Sequence, residues 1–306
     1  MIRLFIILLL LVGCGYFKEP KEPTSTPNLG MLDIKSKLYT KLVLLDHSDS
    51  HGFIMTDKCD ATLFSGLFAA AVPSLKIDIR AAANQDLTQW YRRPNHDCGP
   101  EFNNSRSTIS RDMILGVLWY MYKSKDLVAA EALMEQLVNN NYLLKGEGTV
   151  GELLMTPALL STLAKIIEKL GGKTYNPEID YVAVFSETTG YVAHLTVWHI
   201  LLRGELFGKI SESSFDILSY HRNRNPLNPL FQAAYHKYKD GNQTNAVNLL
   251  LDNKEWPSNR LPTTSEHCSE WPIERDYTPN NWEACSPVKE HTGAELVIIY
   301  NLIIKK

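Results

Sequence analysis

Apolar residues at helical spacing recur along almost the whole of this chain, and patterns typical of β-strands are nearly absent. Residues 127–139 are the clearest case, because apolar side chains recur there every three or four positions. A second helix is marked at its start by Thr156-Pro157, a cap followed by a first-turn proline, and at its end by Gly171-Gly172. Only residues 181–185 suggest a strand. The pattern therefore predicts an all-α protein.

About eleven helices are predicted between residues 31 and 306, and many are joined by short connections. The segments at 113–122 and 192–202 are apolar almost all round, which is typical of helices buried on most sides. A single array of paired helices, closed as an (α/α) toroid, accounts for this pattern better than a four-helix bundle. An open helical solenoid is the alternative, although no 34-residue repeat is visible. The predicted helices are 32–45, 61–72, 75–91, 113–122, 127–139, 156–170, 189–205, 213–221, 229–238, 244–251 and 293–304.

The N-terminal residues have the anatomy of a secretory signal peptide. Arg3 is followed by a run from position 4 to 12 that is apolar and nearly all aliphatic, and its length is about half the ~20 residues needed to span a bilayer. The ending Leu11-Val12-Gly13-Cys14 resembles the lipobox of bacterial lipoproteins. That resemblance implies a lipid, including palmitate, on Cys14 and cleavage of residues 1–13. The alternative is an uncleaved anchor with an incidental cysteine.

The lipobox resemblance also implies a place and a tether. It puts the folded part outside the cytoplasm in a bacterial cell envelope, held to a membrane by its lipid. Gly15 after the lipidated cysteine favours the outer over the inner membrane under enteric-type sorting. Residues 14–30 are rich in proline and charge, so we expect a disordered tether before a helical domain at 31–306.

Charge and cysteine content exclude some functions. Acidic residues number 34 against 31 basic ones, so nothing indicates nucleic-acid binding. The four cysteines besides Cys14 favour disulfides in an exported chain, and the two local pairings, Cys59–Cys98 and Cys268–Cys285, are preferred among three possibilities. A four-cysteine zinc site is the alternative, but no C-x-x-C spacing is present. No metal or cofactor motif appears.

Polar side chains cluster directly before several of the very apolar helices, at 57–60, 106–112, 145–149 and 290–295. Helix N-termini carry free N–H groups and partial positive charge, so a face built from them suits hydroxyl-rich or anionic ligands. Residues 59–64, 110–116 and 291–295, in helix order, resemble the (α/α) toroid proteins that act on carbohydrates. The resemblance implies acidic catalytic residues, and Asp60 and Asp112 fit that role best. Helix capping is the competing interpretation of both.

Aromatic and basic residues supply candidate binding positions. Trp90 and Arg92 end the predicted helix 75–91, and the aperiodic loop 253–290 contains Trp271 and Trp282. Flat rings can stack on sugars, and guanidinium groups can bind carboxylates. Arg111 and His291 complete the predicted substrate-binding set. The loop could equally be a plug that completes the core.

The sequence therefore suggests a membrane-anchored protein that binds carbohydrate. The resemblance implies a glycoside hydrolase or a polysaccharide lyase, and binding without cleavage also stays open. A non-catalytic envelope lipoprotein that binds a protein partner is the alternative. His194 and His199 are five positions apart on one apolar segment, which is not the spacing of a helical metal pair, so we expect both to be structural.

Overall fold

A computed structural model describes residues 28–46, 48–54, 61–75, 77–94, 109–145, 153–176, 190–224, 226–252 and 293–305, and it is mostly helical. The prediction of an all-α protein is confirmed. The elements are α1 (Leu29–Asp46), α2 (Ala61–Ala71), α3 (Arg111–Ser124), α4 (Leu127–Asn139), β1 (Leu143–Leu144), β2 (Leu153–Leu154), α5 (Pro157–Lys169), α6 (Gly190–Phe207), α7 (Glu212–Arg224), α8 (Pro229–Lys239), α9 (Thr244–Leu251) and α10 (Ala294–Ile299), which continues as a π-helical turn over Tyr300–Ile304.

Caps that are readable in the sequence set several helix starts. The Thr156 side chain accepts from the Leu159 N–H ahead of α5, and the Asp126 side chain does the same for the Ala129 N–H of α4. The Asp126 carboxylate also binds the Arg80 guanidinium through two hydrogen bonds of 2.8 and 2.6 Å. The Asp126 cap explains why the predicted start of α4 is correct to the residue.

The helix predicted at 75–91 is wrong. The chain forms a single 3-10 turn over Ile79–Ala82, and Ala83 then pairs with Trp90 in an antiparallel bridge. The Asn84 side chain accepts from the Gln89 N–H at 2.9 Å, which offers the backbone an alternative to helix, and Leu87 takes a positive φ of 60°. The short antiparallel pairing of β1 with β2 was also not predicted.

Close backbone contact joins α2 to α3. Every residue of α2 is buried. A Cβ placed on Gly66 would lie 2.3 Å from the carbonyl oxygen of Gly116, and one on Gly116 would lie 2.3 Å from the carbonyl oxygen of Leu63. Only glycine at both positions allows this approach.

Five helices contact one another in a circuit: α2 with α3, α3 with α6, α6 with α8, α8 with α10, and α10 with α2. The chain runs in the same direction along all five of these helices. At one end, the Lys123 and Lys237 ammonium groups, from α3 and α8, both pair with Glu205 near the end of α6. At the other end, the Thr62 N–H of α2 donates to the Arg92 carbonyl, and the Ile109 N–H before α3 donates to the Trp90 carbonyl. We call this second end the helix-start end.

The remaining helices pack around this circuit. α1 contacts α9 and α10, α4 and α5 contact α3, and α7 and α9 contact α8. Among the described residues, no helix combines the length and apolar character needed to cross a membrane.

Candidate functional site

Three helices of the circuit bring a buried polar cluster together at the helix-start end. His194 belongs to the second turn of α6, Asn228 caps α8, and Glu295 is in the first turn of α10. All three are buried, and Glu295 is only 2% exposed. We call these three residues the helix-start cluster.

Asn228 fixes the protonation of its histidine neighbour. Its Oδ1 accepts from the backbone N–H groups of Leu230 and Phe231 at 3.0 and 3.2 Å, so the amide has one orientation. Its Nδ2 therefore faces the Nε2 of His194, 2.9 Å away, and can only donate. It follows that Nε2 of His194 carries a lone pair and the ring proton is on Nδ1.

Glu295 lies opposite the same nitrogen. Its Oε1 is 4.0 Å from Nε2 of His194, which is too long for a hydrogen bond and close enough for strong attraction if the imidazole becomes charged. Glutamate is rarely this deeply buried in a protein, so Glu295 marks a candidate functional position. A carboxylate there favours positive charge on His194, whereas the Asn228 amide that donates to Nε2 opposes it.

A second histidine lies near the cluster. The Phe231 ring centroid is 4.8 Å from that of His194 and 5.2 Å from that of His221, at the end of α7. Burial, with the charge of Arg224, lowers the pKa of His221 to about 4. His221 is therefore neutral at physiological pH.

His199 belongs to a separate network between α5 and α6. Its Nε2 is 2.9 Å from the Thr162 hydroxyl, which also lies 2.7 Å from the Ala158 carbonyl. Burial, followed by repulsion from Arg203, lowers the pKa of His199 to about 3. This environment agrees with the structural role expected of His199. Among the described residues, no group of three potential ligands is arranged to hold a metal ion.

The sequence-predicted site residues have different outcomes. Trp90 is buried, and its indole N–H donates to the Leu87 carbonyl at 3.2 Å, so in this structure its ring packs in the core and a stacking role stays a prediction. Arg92 lies beside the start of α2, and Arg111 is the exposed first residue of α3. Asp112 is in the first turn of α3, and its side chain is outside the described part. Also outside the described residues are Asp60, Trp271, Trp282, His291 and the cysteines Cys14, Cys59, Cys98, Cys268 and Cys285.

Sequence reasoning missed the cluster. Glu295 falls in the polar segment 290–295, where only His291 was selected, and His194 was expected to be structural. Asn228 before Pro229 is the same kind of cap-plus-proline signal as Thr156-Pro157, so the sequence could have identified Asn228 as a helix cap, although not its neighbours in the cluster. Comparisons with known proteins found no matching family model, curated protein or solved structure.

Proposed function

We propose that this chain is a membrane-anchored extracytoplasmic protein that binds carbohydrate at its helix-start end. In this proposal α2, α3, α6, α8 and α10 form the inner layer of an (α/α) toroid, and α1, α4, α5, α7 and α9 form the outer layer. The observation that carries the proposal is the buried cluster in which Glu295 faces the unprotonated nitrogen of His194.

The cluster suits proton abstraction better than two-carboxylate hydrolysis. In neutral His194 the electron pair of Nε2 accepts from the Asn228 amide, so this amide must turn aside before Nε2 can take a proton from a carbon next to a uronate carboxyl group. The new N–H would then repel the Asn228 amide protons and attract Glu295, which stabilises the charged product. The proton passes from the sugar carbon to Nε2, the electron pair of the broken C–H bond forms the C=C bond, and the glycosidic C–O bond breaks. The leaving oxygen then takes that proton from Nε2, which restores neutral His194.

A polysaccharide lyase is therefore the preferred form of the proposal. Lyase chemistry also needs a cation beside the uronate carboxylate, and Arg92 and Arg111 are candidates near the starts of α2 and α3. Glycoside hydrolysis needs two carboxyl groups across the bond, so it would need Asp60 or Asp112 in addition to Glu295. Because the described cluster is buried, a ligand must open this end locally to reach it.

The positions of the predicted site residues in the sequence also support a site at the helix-start end. Asp60 directly precedes α2, Asp112 is the second residue of α3, and His291 comes two positions before Gly293. Each of these predicted residues is thus next in sequence to the start of a helix in the circuit. The anchoring part of the proposal rests on the resemblance of the segment ending in Cys14 to a lipobox.

A glycan array and a panel of polysaccharides test this function. The wild-type chain, Glu295→Gln and His199→Gln are compared, because His199 is a buried histidine on the same helix but outside the cluster. Absorbance of a new conjugated double bond reports elimination, and reducing ends without that absorbance report hydrolysis. We expect binding by all three proteins and cleavage lost only in Glu295→Gln, with folding checked by thermal melting.

Two results would overturn the proposal. The first is wild-type protein that binds no glycan, and the second is Glu295→Gln that cleaves as well as wild type. Absence of glycan binding together with a specific crosslinked protein partner would favour the non-catalytic alternative.

A further inference from the structure

Helix α1 presents an apolar face to solvent. Met31, Ile34, Leu38 and Leu45 are each between 53% and 79% exposed. Their spacing of three, four and seven positions places all four on one side of a helix. We call these four residues the α1 apolar face. Single exposed apolar side chains are ordinary, but an aligned set of this kind marks an interaction surface.

The opposite side of α1 is fixed in the fold. Leu32 and Val43 are fully buried, and the Lys35 ammonium donates to the Leu250 carbonyl at 2.6 Å. The Tyr300 hydroxyl donates to Asp33 at 2.9 Å. One side of α1 therefore packs against the rest of the protein, and the apolar face is on the other side, which is exposed to solvent.

Basic side chains border this face. Lys37 and Lys41 are exposed and follow Ile34 and Leu38 by three positions each, which places them along one edge of the apolar face. Asp33 is the acidic residue nearby, and Lys37, Tyr300 and Lys305 all bind it, which holds its pKa well below the usual range. An apolar face with a lysine border is typical of helices that lie in the surface of an anionic membrane.

We propose that the α1 apolar face lies on the phospholipid surface of the membrane that holds the Cys14 anchor. This inference rests on the anchoring part of the proposed function. Cys14 and Leu29 are 15 positions apart, so the tether spans at most ~50 Å and leads directly into α1. A short tether raises the effective concentration of the helix at the surface, so weak apolar and lysine contacts suffice for docking.

This docking sets the direction in which the site opens. The beginning of α1 contacts the end of the C-terminal helix, through Asp33 and Tyr300, and its later residue Tyr39 lies against Gly293, just before α10. α1 is therefore antiparallel to the helices of the circuit. With α1 lying flat on lipid, the circuit also lies along the membrane, and the helix-start end opens sideways along the surface.

Photocrosslinking in cells tests the inference on the full chain. A benzophenone amino acid replaces Leu38, Leu45 or, as the matched control, Val128, which is 64% exposed on α4. We expect phospholipid adducts at positions 38 and 45 and at least tenfold fewer at 128. A buried probe at Leu32, which must give adducts within the chain, confirms that the reagent is active.

Three outcomes overturn it: protein adducts at 38 and 45, equal lipid adducts at all three surface positions, or no adducts there while the Leu32 probe reacts. Labelled fatty acid on Cys14 is measured in the same cells, which shows separately whether the anchor exists. Glycan binding by the Leu38 variant is unaffected in either case, so failure of this inference is distinct from failure of carbohydrate binding.

Discussion

The Nδ2 of Asn228 lies 2.9 Å from the Nε2 of His194, and this contact decides which nitrogen of the imidazole carries the ring proton. The same asparagine caps α8 through its Oδ1. Asn228 therefore caps a helix and also determines which nitrogen of His194 is protonated.

Two substitutions at Asn228 separate these roles. Asn228→Asp keeps an oxygen for the cap but places a second oxygen against Nε2 of His194, so that nitrogen must then carry a proton. Asn228→Ala loses the cap and the contact. We expect Asn228→Ala to lower the free energy of unfolding by about 1–3 kcal/mol, and Asn228→Asp to cost less. Urea unfolding gives the energies, and nitrogen NMR of the imidazole gives the tautomer. An unchanged tautomer in Asn228→Asp would refute the assignment.

The contact between α2 and α3 predicts strong intolerance to a methyl group. Gly66→Ala and Gly116→Ala each place Cβ about 2.3 Å from backbone atoms, which cannot move without separating the helices. We expect each to lower the free energy of unfolding by about 1–3 kcal/mol or more.

Gly30→Ala is the matched control for these glycine substitutions. Gly30 is also helical, in α1, and its added Cβ would come no closer than 3.7 Å to the Asn28 side chain. It should be neutral or gain up to about 1 kcal/mol. Equal urea midpoints for all three variants would contradict the close packing.

Glu205 holds the far ends of three helices of the circuit together. It pairs with Lys123 of α3 and with the nearly buried Lys237 of α8. Glu205→Gln leaves both ammonium groups without this charge, and we expect a loss of about 3 kcal/mol by chemical unfolding. Glu168→Gln removes the exposed partner of Lys165 and should cost less than about 0.5 kcal/mol. Comparable losses in the two variants would mean that Glu205 has no special role.

The lowered pKa of His199 predicts that the free energy of unfolding rises with pH. Its pKa is about 3 when folded and near 6.5 when unfolded. Between those values the unfolded chain binds a proton that the folded protein does not, so the free energy of unfolding rises with pH, by at most about 1.4 kcal/mol per unit. His221, with a folded pKa of about 4, adds to this trend.

His199→Gln should therefore flatten the stability profile between pH 4 and 6 and leave it unchanged above pH 7. Urea unfolding across this range measures the slope. A variant with the wild-type slope would show that His199 does not titrate on unfolding.

Local signals in the sequence were sufficient for most helices. The stripe at 127–139 and the Thr156-Pro157 cap need no distant partner, and α4 and α5 begin and end close to their predicted bounds. The segment 75–91 was mispredicted because side-chain hydrogen bonds at Asn84 override its helical spacing. The helix-start cluster could not be read from the sequence because His194, Asn228 and Glu295 come from three helices that only tertiary packing brings together.

Amide hydrogen exchange with a bound oligosaccharide from the glycan screen tests the central claim most directly. If carbohydrate binds at the helix-start end, exchange should slow in peptides covering the starts of α6, α8 and α10, and stay unchanged in α4 and α9, away from the cluster. Protection confined to α4 and α9, or absent from all three helix starts despite saturating ligand, would contradict the account.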